Sequence, residues 1–506
     1  MAQLWRIWEV SYRPFKEVGS DTFILATPGG NLAWTCDPRV FEQVGSKHGK
    51  FQTPTDMTNF FDVYGPSLGS TEAEEWRAHR KVLATGFNPA IETTVWEETQ
   101  FQTDTLLSVW MRDGSVVPSV KQWTSRLALH VITSGFFHKR LTWDEYDEGS
   151  KVVPLGHQLT FQEALSGVVD RLATIATTPR ALLGKIPLKF FRKPYVAFTD
   201  FTKYMEELRD VAVARLEETK SQKKRSILGE LTAEAEKSIV LAGTPGILEP
   251  GEVPLSREGV FGDMFFTLLA GHESTGNVMA FMVYLMAIYP EYQQELHKAL
   301  DEQLGNRPRQ EWTVTQDYNA LQKGILGAVQ KETLRLYHPA QWNFRRAMID
   351  IPVEDSQSRT HVIPANTIVM VNFAATYHDP TKWTQRDIPT ARKKELHDSP
   401  ALYFDPHRWL RHEGPETQIP PFGVGPRSCI GKAFAQVEMV AFIATVFKKY
   451  SVELLVPDET LQACKGDVKL AWDKTRDDAI RQLRDDVKAN IAIYLSKDLP
   501  ITIAKR

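Results

Sequence analysis

The stretch FGVGPRSCIG, Phe422 to Gly431, sets one cysteine among three glycines, a proline and an arginine. The 506-residue chain has only two other cysteines, Cys36 and Cys464, in ordinary surroundings. A thiolate ligand needs a lowered pKa and amide N–H groups close to its sulfur. Glycines permit that approach, and a helix start supplies donors and a positive dipole. Cys429 stands immediately before an apolar-periodic segment from Ile430 to Lys449, and Arg427 adds a cation two residues away. The plain alternative is a small buried hydrophobe in a tight turn, which the flanking pattern disfavours. A dinucleotide phosphate loop is excluded, because Gly423-x-Gly425 meets Ser428 where the third glycine belongs.

Four more groupings could do chemistry or position it. KETLRL puts Glu332 and Arg335 at i, i+3 on one helix face, which alone suits an ordinary surface ion pair. FDPHRW, Phe404 to Trp409, offers Arg408 in an aromatic, proline-stiffened stretch. WRAHRK carries Trp76 and Arg80 at i, i+4, one N–H and one guanidinium suited to a ligand carboxylate. AGHESTGN supplies small residues, a carboxylate and two hydroxyls in an otherwise apolar segment. His272-Glu273 invites comparison with HExxH zinc proteases, but the position four beyond His272 is Gly276, so the second ligand is missing.

The elements that must hold these groups are mostly helical. The first 50 residues mix short apolar runs with Pro and Gly, as in a small sheet. Thr71 is placed to cap a helix whose first turn contains Glu74 and Glu75. Helical periodicity follows near 94–112, 119–137, 158–178, 195–219, 256–289, 291–304 and 324–337. TIVMVNFA, after the turn IPAN, reads as a strand, as does the late ITIA. The fold class is mainly α with a minor β-sheet portion. Segment 256–289 is apolar nearly all round and should cross the middle of the fold, with any pocket beside it lined by residues from Phe265 to Ala270.

Bulk properties narrow the classes. Net charge is -3, so nucleic acid is not an expected partner. Three cysteines build neither a disulfide framework nor a paired-cysteine zinc site. No Asn-x-Ser/Thr sequon and no signal peptide is present. The longest apolar run, Val278 to Tyr289, is 12 residues, short of the roughly 20 a spanning helix needs. It reads as a buried core helix. Residues 220–259 read as a long connection inside one large globule.

Taken in this order, the motifs resemble those of the cytochrome P450 family of haem-thiolate monooxygenases. Phe422, Gly425, Arg427, Cys429 and Gly431 match F-x-x-G-x-R-x-C-x-G at every defined position. Glu332, Arg335 and Arg408 match the family's structural charge triad, Trp76-x-x-x-Arg80 its propionate-binding helix, and Ala270 to Thr275 its oxygen-activation groove. The resemblance runs from about residue 20 to the C-terminus, is closest in style to fungal microsomal members, and implies a single domain over 1–506. Haem b would lie between the long central helix and the helix of the cysteine loop.

By position, Cys429 is the expected axial thiolate on iron. Arg427, Trp76 and Arg80 are expected at the haem propionates, and Arg346 is a further candidate beside Arg345. Phe422, Gly423 and Gly431 would shape the thiolate side, while Ala270 and Gly271 leave room on the other. Glu273 would relay protons, and a hydroxyl of Ser274 or Thr275 would hold water. The groove's usual threonine is Ser274 here, followed by Thr275.

The resemblance further implies O2, an apolar small-molecule substrate, and a separate NADPH-dependent flavoprotein reductase. The chain is expected to be a monomer at the cytoplasmic face of the endoplasmic reticulum, active in specialised (secondary) metabolite biosynthesis. The N-terminal anchor and hinge of eukaryotic members are not found in this stretch, and the expectation is either a truncated polypeptide or a different mode of membrane association. ALLGKIPLKFFRK, residues 181–193, is a candidate peripheral membrane contact against an ordinary covering loop. Residues 384–403 form an insertion. Arg77, His79, Arg80, Lys81 and Lys432 are candidates for a basic face toward the reductase, and Phe60, Phe61, Val63 and Tyr64 for the pocket wall. The rivals are a haem-thiolate isomerase or dehydratase that uses no reductase, and a haem-binding protein without turnover.

Overall fold

A computed structural model describes residues 7–112, 114–143, 152–185, 189–218, 227–229, 231–233, 253–383, 400–411 and 420–506. Helix accounts for 60% of the described residues and strand for 12%, so the fold is mainly α with a minor sheet. Two compact sets of segments form: residues 1–52, 95–129 and 272–506, and residues 53–94 with 130–271.

The first set contains the sheets. Strands Thr22–Thr27 and Gly30–Thr35 pair antiparallel across the Pro28-Gly29 turn. Strand Gly30–Thr35 then runs parallel to Ile368–Asn372, which pairs antiparallel with Trp342–Ala347 and through it with Phe51–Gln52. The expected turn at IPAN is present: Asn366 takes φ 62 and the Thr367 N–H meets the Pro364 carbonyl at 3.2 Å. Helix Pro38–Ser46 closes one face, starting on an Asp37 side chain that accepts the N–H groups of Arg39 and Val40. Val40, Val44, Phe51, Ala347, Ile363 and Val369 share its core. Helices Ile325–Leu336 and Lys432–Lys449 pack nearby, and the latter starts at Lys432, after Gly431 as N-cap, rather than at Ile430. The C-terminal strand Ile501–Lys505 pairs with Tyr450–Leu454 and with Val116–Val117.

Helix Arg257–Ile288 is continuous over 32 residues. Its apolar run from Val278 to Tyr289 is buried at every residue, as a core helix requires. Its last carbonyl, Ile288, accepts a hydrogen bond from Arg476 Nε at 2.9 Å. Arg476 lies on helix Val468–Asp485, and its guanidinium sits 5.2 Å from the Tyr289 ring. A cation suits a helix C-terminus, where unsatisfied carbonyls gather.

The second set holds helix Ala73–Gly86, the loop before it, and helices Phe161–Val169, Leu172–Thr177 and Lys189–Glu218. Its centre is aromatic. Tyr64 stacks on Phe198 at 4.9 Å and meets Phe265 at 5.0 Å, and Phe201 packs on Phe161 at 5.6 Å.

Two boundaries differ from the sequence pattern. Residues 158–178 form two helices, because the chain leaves helical geometry at Arg171 (φ -122). Thr71 does not cap helix Ala73–Gly86, since its hydroxyl donates to the Ser67 carbonyl and Glu72 is the N-cap residue. In the segment 181–193, residues 186–188 lie outside the described residues. Leu182 is exposed, Leu183 is buried, and helix Lys189–Glu218 has already begun by the end of the segment. Residues 384–399 of the expected insertion likewise lie outside the described residues. Among the described residues no helix is long and apolar enough to cross a membrane.

Candidate active site

The cysteine loop is built by its backbone. Gly423 and Gly425 take φ values of 77 and 71, in the left-handed region open to glycine. The Cys429 N–H donates to the Phe422 carbonyl at 2.8 Å, and the Ser428 N–H to the Gly425 carbonyl at 3.0 Å. A Cβ on Gly425 would lie 2.3 Å from the Gly45 carbonyl oxygen, so this turn is seated directly on the end of helix Pro38–Ser46. Cys429 itself is exposed, and the 18-residue helix Lys432–Lys449 begins three residues later. Cys36 by contrast is fully buried, and burial pushes its thiol pKa well up. Cys429 is presented on structured backbone beside a helix N-terminus, the setting that favours a thiolate.

A second fastening comes from His338. Its ring nitrogens meet the carbonyls of Ala340 at 2.5 Å and Pro421 at 2.8 Å, tying the loop to the end of helix Ile325–Leu336. The sequence pattern missed this residue. Its only signal was an unexplained histidine between the Glu332-Arg335 motif and a proline.

Glu332 and Arg335 do not form a surface pair. Both side chains are 0% exposed and joined by two hydrogen bonds of 2.8 Å. Glu332 also accepts from Arg408 Nε at 3.0 Å, Trp409 Nε1 at 2.9 Å and the Asp405 N–H at 3.1 Å. Arg335 spends its remaining donors on the carbonyls of Tyr377, Ala401 and Tyr403. Burial alone would raise the Glu332 pKa, but Arg335 and Arg408 outweigh it and hold the carboxyl down at about 2. This node pins helix Ile325–Leu336 to the 400–411 segment, and Trp409 is a member that the sequence did not reveal.

In strand Trp342–Ala347, Arg345 Nη1 donates to Asn343 and to the Phe344 carbonyl. Arg346 is the next residue, and alternation along a strand sends the two side chains to opposite faces. On helix Arg257–Ile288, Ala270 is exposed after buried Leu269, Gly271 to Ser274 are half-buried, and Thr275 is buried. Gly276, where a zinc protease would need histidine, lies against helix Val120–Phe137. A Cβ there would stand 2.7 Å from the Ser125 Cα, so only glycine fits.

On helix Ala73–Gly86, Trp76 is buried, Arg80 half-buried, and Arg77 and Lys81 exposed, as is Lys432 on its own helix. His79 departs from expectation. It is buried against Asp263 and cannot belong to a basic surface.

Comparison with known proteins extends this picture. The family model described as Cytochrome P450 matches residues 11–472. Cytochrome P450 monooxygenase 124 of Postia placenta is 25% identical over 460 residues, 88% of this chain and 81% of the relative. The Phomenoic acid biosynthesis cluster cytochrome P450 monooxygenase of Leptosphaeria maculans is 24% identical over 480 residues, covering 88% and 78%. The crystal structure of a cytochrome P450DA heme domain superposes with a TM-score of 0.69 at 19% identity, covering 98% of this chain and 92% of that one.

The residues present fit a haem. Haem iron arrives with four ring nitrogens and asks a protein for an axial donor. Among the described residues no three His, Cys, Asp or Glu side chains gather into a protein-built metal site. Cys429 offers a single exposed sulfur on a loop fastened to two helices.

Proposed function

The chain belongs to the cytochrome P450 family of haem-thiolate monooxygenases, and from that premise we propose that it inserts one oxygen atom from O2 into an apolar small molecule during specialised metabolite biosynthesis. The printed name of the Leptosphaeria relative supports the biosynthetic setting. One catalytic domain would span 1–506, working as a monomer with haem b. The observation that carries the proposal is the placement of Cys429: the exposed thiol follows two left-handed glycines and precedes an 18-residue helix.

Bound haem would supply the electron and O2 chemistry, with thiolate donation favouring O–O cleavage. Cys429 would hold the iron. Trp76, Arg80, Arg427 and Arg346 would hold the propionates, where guanidinium groups give charge-assisted hydrogen bonds. Phe422, Gly423 and Gly431 would shape the thiolate side, and small Ala270 and Gly271 would leave room for O2 and substrate on the other side of the haem. Glu273 would carry protons inward, and the hydroxyls of Ser274 and Thr275 would keep a water at hand to receive them. Glu332, Arg335 and Arg408 keep the thiolate scaffold in place without touching substrate. Phe60, Phe61, Val63, Tyr64 and the Phe265–Ala270 turn make an apolar wall, which suits an apolar substrate.

Family members take electrons from a redox partner. Here that partner would be an NADPH-dependent flavoprotein reductase, with exposed Arg77, Lys81 and Lys432 offered to its acidic surface. The proposed location is the cytoplasmic face of the endoplasmic reticulum, with peripheral contact through 181–193.

The reduced, CO-bound absorption spectrum of the wild type and of Cys429→Ala tests the core. A thiolate-type red-shifted Soret band present in the first and lost in the second is expected. A wild type without that band, or a variant that keeps it, overturns the proposal. Turnover that needs neither NADPH nor O2 would instead mark a haem-thiolate isomerase or dehydratase.

A further inference from the structure

His79 is the most enclosed titratable group of helix Ala73–Gly86, at 2% exposure. Its Nδ1–H donates to Asp263 Oδ2 at 2.7 Å, and Asp263 is 0% exposed. The other carboxylate oxygen, Oδ1, accepts the backbone N–H of Leu68 at 2.8 Å. One buried carboxylate thus holds two different elements: the helix carrying Trp76 and Arg80, and the loop carrying Phe60, Phe61 and Tyr64.

The surroundings are built for this meeting. A Cβ on Gly262, one residue before Asp263, would stand 2.1 Å from the Pro66 carbonyl oxygen, and one on Gly69 would stand 2.3 Å from the Phe266 ring. The loop stays folded on itself through Thr71 Oγ1 donating to the Ser67 carbonyl and Ser70 Oγ accepting the Ser67 N–H. Its aromatic residues reach the same helix, with Phe61 edge-on to Phe266 at 6.0 Å. A core built for packing alone would use a leucine pair here, because a buried polar pair gains little net stability over well-packed apolar side chains. What a carboxylate adds is two directional acceptors on one rigid turn.

We propose that Asp263 is a positioning residue that fastens the pocket loop and the haem-anchoring helix to the same turn of the central helix, and so couples the set of the substrate wall to the grip on haem. His79 is the arm toward the haem helix, and Leu68 N–H is the arm toward the loop. The inference rests on the proposed roles of Trp76, Arg80 and the 60–64 aromatics.

The two arms are separable by substitution. Hydrogen–deuterium exchange of the holoenzyme reports the loop, and haem transfer to excess apomyoglobin reports the helix. Asp263→Ala should speed exchange at 62–71 and haem loss together, each by about tenfold or more, as losing a hydrogen bond to a charged group implies. His79→Ala should speed haem loss while leaving Leu68 protected, because the Oδ1 bond does not depend on it. Asp263→Asn keeps an oxygen for the Leu68 N–H, should rescue most of the protection at 62–71, and serves where the alanine variant folds poorly.

The proposal is overturned if Asp263→Ala leaves 62–71 as protected as in wild type. It is equally overturned if exchange rises alike in Ile325–Leu336, which marks general destabilisation, or if His79→Ala leaves haem loss unchanged. The wild-type CO spectrum judges the monooxygenase reading separately, since loop exchange does not depend on the thiolate band.

Discussion

Replacing Glu332 by glutamine would remove the one negative charge that two buried guanidinium groups share. The carboxylate accepts five hydrogen bonds, from Arg335 Nε and Nη2, Arg408 Nε, Trp409 Nε1 and the Asp405 N–H. A glutamine keeps one oxygen and turns donors toward donors, leaving Arg335 at 1% and Arg408 at 2% exposure without their hydrogen-bonded counter-charge. Breaking a buried pair in this way costs about 3–5 kcal/mol. Proton linkage gives a similar figure: holding the carboxyl at about 2 instead of its ordinary 4.5 corresponds to about 3 kcal/mol of stability at neutral pH.

The sign follows from the depressed pKa. That stability is fully present above pH 4.5 and is lost as pH falls through 4.5 toward about 2. Urea unfolding of the holoenzyme, followed by tryptophan fluorescence and by the Soret band, should show Glu332→Gln less stable by about 3–5 kcal/mol at neutral pH. The gap between wild type and variant should close on the acid side. A second substitution, Arg408→Met, should recover part of the loss, because it withdraws one of the stranded charges. A loss below about 1 kcal/mol, the value of an exposed pair, would refute the reasoning.

Gly425→Ala places a side chain at φ 71 and 2.3 Å from a backbone oxygen. Such strain costs about 1–3 kcal/mol or more, so the haem-to-protein ratio after purification should fall clearly, and normal loading would contradict the seating of the loop on Gly45. Ser274→Ala with Thr275→Ala should cut product formed per NADPH at least about tenfold, with peroxide released instead; unchanged coupling would remove both hydroxyls from proton delivery. Glu438, on helix Lys432–Lys449, is 1% exposed, neither carboxyl oxygen has a hydrogen-bond partner among the described residues, and burial pushes its pKa well up. Its contribution to stability is therefore present below the ordinary carboxylate range and lost as pH rises from that range toward its raised pKa. Urea midpoints should show Glu438→Gln at least as stable as wild type at pH 8, and a marked loss there would show that the carboxylate has a partner.

Much of the helical skeleton was legible because apolar residues recur at helical spacing and have nowhere else to go than the core. The 12-residue run from Val278 was readable as buried, and the cysteine loop as special, since both signals are local. What stayed hidden depends on distant neighbours. By spacing alone Glu332 and Arg335 look like a surface pair, and only the family resemblance joined Arg408 to them, because nothing nearby announces Trp409 or the carbonyls of Tyr377, Ala401 and Tyr403. His79 looked basic and exposed because its partner lies on a helix far along the chain. Helix Val468–Asp485 escaped notice because its buried stripe is Ala471, Thr475, Ala479 and Leu483, small or polar residues that carry little hydrophobic signal. Thr71 had the right type for a cap, but its hydroxyl was claimed by Ser67.

The bond from Arg476 to the end of helix Arg257–Ile288 sets a timetable. Its two partners are 188 residues apart. At about 5–20 residues per second, a ribosome takes roughly 10–40 s to make that interval. For that time the nascent central helix has its last carbonyl open and its tyrosine end uncovered. Truncation before residue 476, or a long translational pause in the 290–470 region, would leave that end waiting, and there a chaperone would find apolar surface to hold.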